Sequence, residues 1–488
     1  MKRWLMALSI AVIPAAGGHS AAVLSDNPRI REALTLAEVW LDAEMAYEAI
    51  PGLSAAIVHD QQLVWARGFG YADVARKTPA RPDTLYSVCS ISKLFTSIAV
   101  MQLRDEGKLE LDEPIGKYLP WFNIKQVYPE SQPVTLDAIL THSAGLPREA
   151  DFAYWTGPEH RFPTHEEIVE HVAQQEMLYP ASRHSQYSNL GLTLAGEVVA
   201  AVSGKPYAAY VQERILTPLG LASTTPELPQ GGALGQRMAT GYSALSREHK
   251  RTPVPFYQVR GIAPAAGFAS TVEDLARFAS WQLRLLSNGG REVVSAETLR
   301  EMQRPQWIED DWQAARGLGF ALTRRNSKTF VGHGGNCPGF LTQLWVSPKD
   351  KIAVIVFVNA QGLSPNTYSQ TLYDIVAPAI AKASGEAATA KPVDPALEKY
   401  TGMYTQPLAG ERHVLIFDGE LVVMSLPSQN PVRGLMKLKP ESANVFRRVR
   451  DDGGLAERVV FELGSDGQVV KMVHNNNFSY RLQKPAAR

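Results

Sequence analysis

Two blocks of strand-forming sequence bracket a long helical stretch, and this arrangement constrains the fold more than any other feature. Near one end, Leu53 to His59 and Leu63 to Gly70 are β-rich runs either side of Asp60-Gln61, the pattern of a hairpin. Far along the chain, Phe320 to Thr323, Thr329 to Val331, Phe340 to Val346 and Ile352 to Val358 read the same way. Helical patterns lie between them, from Ser90 to about Glu106, from Leu190 to Val202, and from Ser270-x-x-Glu273 to near Ser287. Thr164 and Glu167 form a capping box before Ile168. An amphipathic helix over Arg29 to Ile50 precedes the first block. The order predicts an α/β domain whose sheet joins the two ends of the region.

A second unit follows. Ala381 to Pro395 is rich in Ala, with Lys and Pro, and reads as a linker. Beyond it lie about eight short strand signals. Asp418-Gly419 and Asp466-Gly467 separate alternating apolar runs, a strong hairpin signature. These predict a small all-β barrel or sandwich over 396–488. The 488 residues accommodate both units. With 49 basic and 49 acidic residues the net charge is zero, which removes the global field that would recruit nucleic acid.

Lys2 and Arg3 precede the apolar run Trp4 to Ala16, and small residues follow. That order reads as a secretory signal over 1–22, cleaved after Gly18 or Ala22. A membrane anchor is the alternative, but spanning a bilayer takes about 20 apolar residues. The expectation is an exported protein, periplasmic or secreted, with no stable membrane anchor. Its first domain then spans 23–380 and its linker 381–395.

Three segments carry reactive side chains. In Tyr86-Ser-Val-Cys-Ser-Ile-Ser-Lys93, Ser90 stands at a helix start with Lys93 three residues on, on the same face. A neighbouring amine can activate such a serine to attack a carbonyl; an N-cap serine with a solvated lysine has the same pattern. Tyr187-Ser-Asn189 precedes a helix. Its tyrosine can relay a proton and its amide can hold a carbonyl, though a turn with an Asn cap reads identically. Gly332-His-Gly-Gly-Asn336 follows a strand, and its glycines allow a substrate backbone to approach closely. A glycine-rich hairpin with an exposed histidine is the plainer reading of that segment.

Taken together and in this order, the three segments resemble the serine β-lactamase and penicillin-binding protein superfamily. The closer resemblance is to its class C β-lactamase-like group, which includes D-alanyl carboxypeptidases, D-aminopeptidases and esterases. Ser90-Ile-Ser-Lys-Leu-Phe-Thr96 matches the nucleophile helix. Leu140-Thr-His-Ser-Ala-Gly-Leu-Pro147 and Ala265-Ala-Gly-Phe-Ala-Ser-Thr-Val-Glu-Asp-Leu275 resemble family segments, and His333-Gly-Gly335 stands where class C enzymes have Lys-Thr-Gly. The resemblance covers about residues 30 to 380. It implies an antiparallel sheet flanked by helices plus an all-helical region.

The resemblance also implies roles. Ser90 becomes the acylated nucleophile, and Lys93 and Tyr187 share the proton transfers. Asn189 binds the substrate amide, beside His333, Gly334 and Gly335. Backbone N–H groups of Ser90 and Asn336 form the oxyanion hole, where one donor is worth about 3 kcal/mol. Histidine at 333 is expected to be partly charged near neutral pH, a weaker carboxylate partner than lysine. A Cys89–Cys337 disulfide is implied because the third-motif strand of the family runs beside the nucleophile helix; two separate thiols are the alternative. The expected activity is hydrolysis of a β-lactam or D-amino-acid peptide amide. The competitors are a carboxylesterase and a penicillin-binding receptor that acylates without turnover. The expected partner is a small-molecule or peptide substrate, with no nucleic acid, cofactor or metal. His165 and His171 are six residues apart, not four, so they do not share a helical face as a zinc pair.

Overall fold

The computed structural model describes residues 24–384, 393–406, 408 and 410–482. The signal expected at 1–22 lies outside them, as do residues 385–392 of the expected linker.

Helix α1 (Pro28–Tyr47) opens on Asn27, whose side chain accepts from the Arg29 N–H, with Pro28 at its first position. Strands β1 (Gly52–His59) and β2 (Gln62–Asp73) form the expected hairpin, and β3 (Thr78–Pro79) edges it. Helices α2 (Ser92–Asp105), α3 (Asn189–Ser203) and α4 (Val272–Asn288) follow. Six more strands complete the sheet: β4 (Trp307–Ile308), β5 (Ala314–Arg316), β6 (Ala321–Arg325), β7 (Lys328–Cys337), β8 (Phe340–Ser347) and β9 (Ile352–Val358). The nine strands lie in the order β3-β2-β1-β9-β8-β7-β6-β5-β4. The antiparallel pairing of β1 with β9, with Ala55 opposite Val356, joins the two ends of the region as expected.

Three details depart from the sequence reading. The glycines of Gly332 to Asn336 do not follow a strand but continue it, because β8 pairs with β7 from Val331 through Cys337. The cap of α4 is Thr271, which accepts from the Asp274 N–H, while Ser270 pairs with Tyr86 in a two-residue strand. Residues 381–384 belong to a long helix, α5 (Pro365–Ser384), not to a linker. Pro378 inside that helix masked it, since proline ordinarily ends one.

The alternating faces of β1 bury into different cores. Leu53, Ala55 and Ile57 pack in one cluster with Trp40 and Leu41 of α1 and Leu372 and Ile375 of α5. Ala56 and Val58 belong to the opposite cluster, with residues of α2 and α4. This layering fixes α2 on one side of the sheet, with the turn Cys89–Ile91 that leads into it against β7.

Eight antiparallel strands between Gly402 and Arg481 close into a barrel, which removes unpaired edges. Asp418 and Gly419 both take positive φ, as a two-residue hairpin turn requires. The barrel interior is filled by side chains such as Tyr404, Val414, Phe446 and Phe461. Its outer residues Leu415, Val422, Met424 and Leu426 share the core of α1 and α5. The Trp40 indole N–H donates to the Ser428 carbonyl at 2.8 Å, and Lys382 at the end of α5 reaches Asp418 at 2.7 Å. Among the described residues no helix is long and apolar enough to cross a membrane.

Candidate active site

Ser90 sits in a 3₁₀ turn, Cys89–Ile91, that runs into α2. Cys89 holds φ +54°, a left-handed conformation costing a residue with a β-carbon about 1–3 kcal/mol. The turn is held from β7: Cys89 is bonded to Cys337 with their Cα atoms 5.6 Å apart, the pairing the resemblance implied. Close approach requires Gly335, because a β-carbon there would overlap the Val88 carbonyl and Thr342 Oγ1. Ser90, Tyr187, Asn189, Gly334, Gly335 and Asn336 all line one cleft of about 990 Å³. Among the described residues the barrel contributes none to the lining; Leu363 to Asn366, at the N-terminal end of α5, border the cleft. The barrel meets the C-terminal end of α5 at Lys382, and it also reaches α1 through Trp40, whose ring lies 6.1 Å from that of Tyr368 in the first turn of α5.

Lys93 is completely buried. Its Nζ lies 3.1 Å from Ser90 Oγ and 2.7 Å from both Asn189 Oδ1 and the Ala265 carbonyl. Burial drives its pKa well below that of an ordinary lysine, opposed by the nearby charge of Glu149. A neutral amine has two N–H groups, which satisfy the two nearer oxygens, and its lone pair then faces the Ser90 hydroxyl. The Tyr187 hydroxyl donates to Ser90 Oγ at 2.9 Å. Burial pushes that phenol up to about 12, although Ser90, Arg148 and Arg316 pull the other way. The arrangement fits Lys93 as proton acceptor and Tyr187 as proton donor.

Asn189 is engaged on both sides. Its Oδ1 accepts from Lys93 and its Nδ2 donates to Glu149 Oε1 at 2.8 Å, which leaves one N–H for a ligand. Ser188 beside it caps α3, accepting from the Gly191 N–H at 2.8 Å. The Ser188 N–H donates to Nδ1 of buried His142, whose ring lies 4.3 Å from that of Tyr187. Burial and the charge of Arg316 keep His142 neutral, so it supports the Tyr187 segment from behind.

His333 departs from expectation. It is 6% exposed, and burial, reinforced by Lys93, drives its pKa down to about 3. It is therefore neutral at physiological pH, not partly charged. The fixed cations on the cleft wall are Arg148 and Arg316, each beside a carboxylate: Nε of Arg148 is 3.2 Å from Glu149 and Nε of Arg316 is 3.2 Å from Glu309. Their guanidinium carbons lie 4.9 Å and 6.0 Å from the Tyr187 ring centre. The sequence reading missed Arg148, Glu149 and Arg316. For the first two the signal was their place directly after Gly145-Leu-Pro147; Arg316 offered none.

Comparison with known proteins agrees with this architecture. A family model described as Beta-lactamase matches residues 38–386. Beta-lactamase-like protein 2 of Dictyostelium discoideum is 25% identical over 72% of this chain, and an unguisins hydrolase of Aspergillus campestris is 27% identical over 67%. These matches span 64% and 62% of the two relatives' own lengths, under two thirds of each. The octameric penicillin-binding protein homologue from Pyrococcus abyssi superposes with a TM-score of 0.62 at 25% identity, covering 92% of this chain and 98% of that one. The family model spans the Ser90 turn, the Tyr187 segment and β7 alike, and the chain belongs to the beta-lactamase family.

Proposed function

We propose that this chain is a serine hydrolase that forms an acyl-enzyme on Ser90, acting on a β-lactam or D-amino-acid peptide amide. The observation that carries the reading is the approach of buried Lys93 to Ser90 Oγ, with its other two contacts shorter and both to acceptors. Lys93 takes the hydroxyl proton as Oγ bonds to the carbonyl carbon. Tyr187 delivers a proton to the leaving nitrogen as the C–N bond breaks, and the proton held on Lys93 then returns to the Tyr187 phenolate, which restores both groups. Water then enters by the reverse route and releases the acid. Backbone N–H groups of Ser90 and Asn336 hold the oxyanion. The second N–H of Asn189 takes the substrate amide carbonyl.

Arg148 and Arg316 supply positive charge to a carboxylate-bearing substrate, a task neutral His333 does not perform. The neutrality of His333 also favours a second reading, hydrolysis of uncharged carboxylic esters. Export is supported by the Lys2-Arg3 and Trp4 to Ala16 pattern together with the disulfide. The unguisins hydrolase among the relatives supports turnover over a receptor that acylates and stops.

The test exposes the protein to a penicillin, a D-Ala-D-Ala peptide and a nitrophenyl ester, following product release and intact mass together. Amide turnover abolished by Ser90→Ala is the expected result. Ester turnover alone supports the second reading, a persistent adduct without product supports the receptor, and turnover surviving Ser90→Ala overturns the mechanism.

A further inference from the structure

We infer that Glu149 is a positioning residue which fixes the amide of Asn189 and thereby holds the lone pair of Lys93 on Ser90. The inference rests on the acyl-enzyme reading above and adds a residue to it.

The geometry is a chain of polar contacts leading away from the nucleophile. Lys93 Nζ donates to Asn189 Oδ1 at 2.7 Å, and Asn189 Nδ2 donates to Glu149 Oε1 at 2.8 Å. The other oxygen, Oε2, accepts from the Tyr154 hydroxyl, and Arg148 flanks Oε1 at 3.2 Å. The backbone is pinned as well, because Gln175 Nε2 donates to the Glu149 carbonyl at 2.9 Å. A carboxylate only accepts hydrogen bonds, whereas an amide offers a donor and an acceptor end of nearly equal shape. Facing Glu149, Asn189 has one satisfactory orientation: Nδ2 outward and Oδ1 toward Lys93. If the amide turned over, an N–H would face Lys93 Nζ and compete for the lone pair that Ser90 needs. An uncharged amide at position 149 accepts or donates equally well and would not enforce the choice.

Glu149 also sets the field at Lys93. Around the amine stand Ser90, Asn189, the Ala265 carbonyl and the Tyr187 ring, with the charged groups Glu149, Arg148 and Arg316 and the neutral histidines His142 and His333 beyond. Glu149 is the anion of this set. Its removal destabilises the ammonium form, so the acidic limb of the acylation profile moves to lower pH. Losing the fixed amide lowers the plateau.

The experiment measures acylation by a penicillin, or by a fluorophosphonate where the penicillin does not react, from pH 5 to 10. It compares wild type, Glu149→Gln and Glu149→Asp, with thermal melts to confirm folding. Glu149→Gln should lower the plateau about tenfold or more and shift the acidic limb by about half a pH unit or more toward acid. Glu149→Asp keeps the charge and should hold the limb near its wild-type position. A Glu149→Gln profile that superposes on wild type, or falls in height with its limb unmoved, overturns the inference and leaves Ser90 acylation standing. Absence of any label on wild-type Ser90 overturns the acyl-enzyme reading and this inference with it.

Discussion

The Tyr187 hydroxyl donates to Ser90 Oγ at 2.9 Å, on the oxygen that Lys93 approaches at 3.1 Å. With its pKa near 12, the phenol is a donor throughout the working range. Tyr187→Phe removes that donor and leaves the packing of the ring on His142. Turnover of an amide substrate should fall about 10²- to 10⁴-fold while the melting temperature holds. Residual acylation should remain above that of Ser90→Ala. A fall to the Ser90→Ala level would make Tyr187 the base.

The histidines behind the site predict how stability responds to pH. His333 has an ordinary pKa of 6.5 that burial lowers to about 3, so the folded state binds fewer protons than the unfolded one. The stability from keeping it neutral is complete above 6.5 and is lost as pH falls toward about 3, by up to about 1.4 kcal/mol per pH unit. Buried His142 acts with the same sign. Melting temperatures of wild type and His333→Gln between pH 7 and 4 check this: the variant should lose less on acidification. Parallel curves would place His333 in water.

The bond between Cys89 and Cys337 closes a loop of 248 residues and ties the Ser90 turn to β7. Chain-entropy reasoning puts its ceiling at roughly 5 kcal/mol, with 2–4 typical. Chemical denaturation with and without reductant should show a loss in that range. Cys337→Ser should also slow acylation, because the turn beside Ser90 carries positive φ at Cys89 and loses its tether.

Trp40 is 1% exposed and joins α1 to the barrel. Trp40→Ala should cost about 3–5 kcal/mol, measured by denaturant titration. Acylation per folded molecule should be unchanged, since no described residue of the barrel lines the cleft. An altered rate per folded molecule would show that the barrel acts on the site.

How far the sequence was legible varied with the range of the interactions. The hairpin at Asp60-Gln61, the Thr164 capping box and the Asp418-Gly419 turn follow from neighbours a few residues apart, and each stands where the pattern put it. Ser90, Lys93 and Tyr187 lie in short segments distant in the sequence, and the fold brings them together. Glu149 carries only its place just after Gly145-Leu-Pro147 and Arg316 no signal at all, because both reach the cleft by tertiary packing. The charge of His333 was misjudged for a related reason. Its state depends on burial beside Lys93, which no local pattern records.

The central claim is a covalent bond to Ser90 made with Lys93 as base, and peptide-mapped mass spectrometry after stoichiometric exposure to a penicillin or a fluorophosphonate tests it most directly. The account predicts one adduct, on Ser90, absent from Ser90→Ala and formed at least about 10²-fold more slowly in Lys93→Ala. An adduct on another residue, or one that forms equally fast without Lys93, would contradict it.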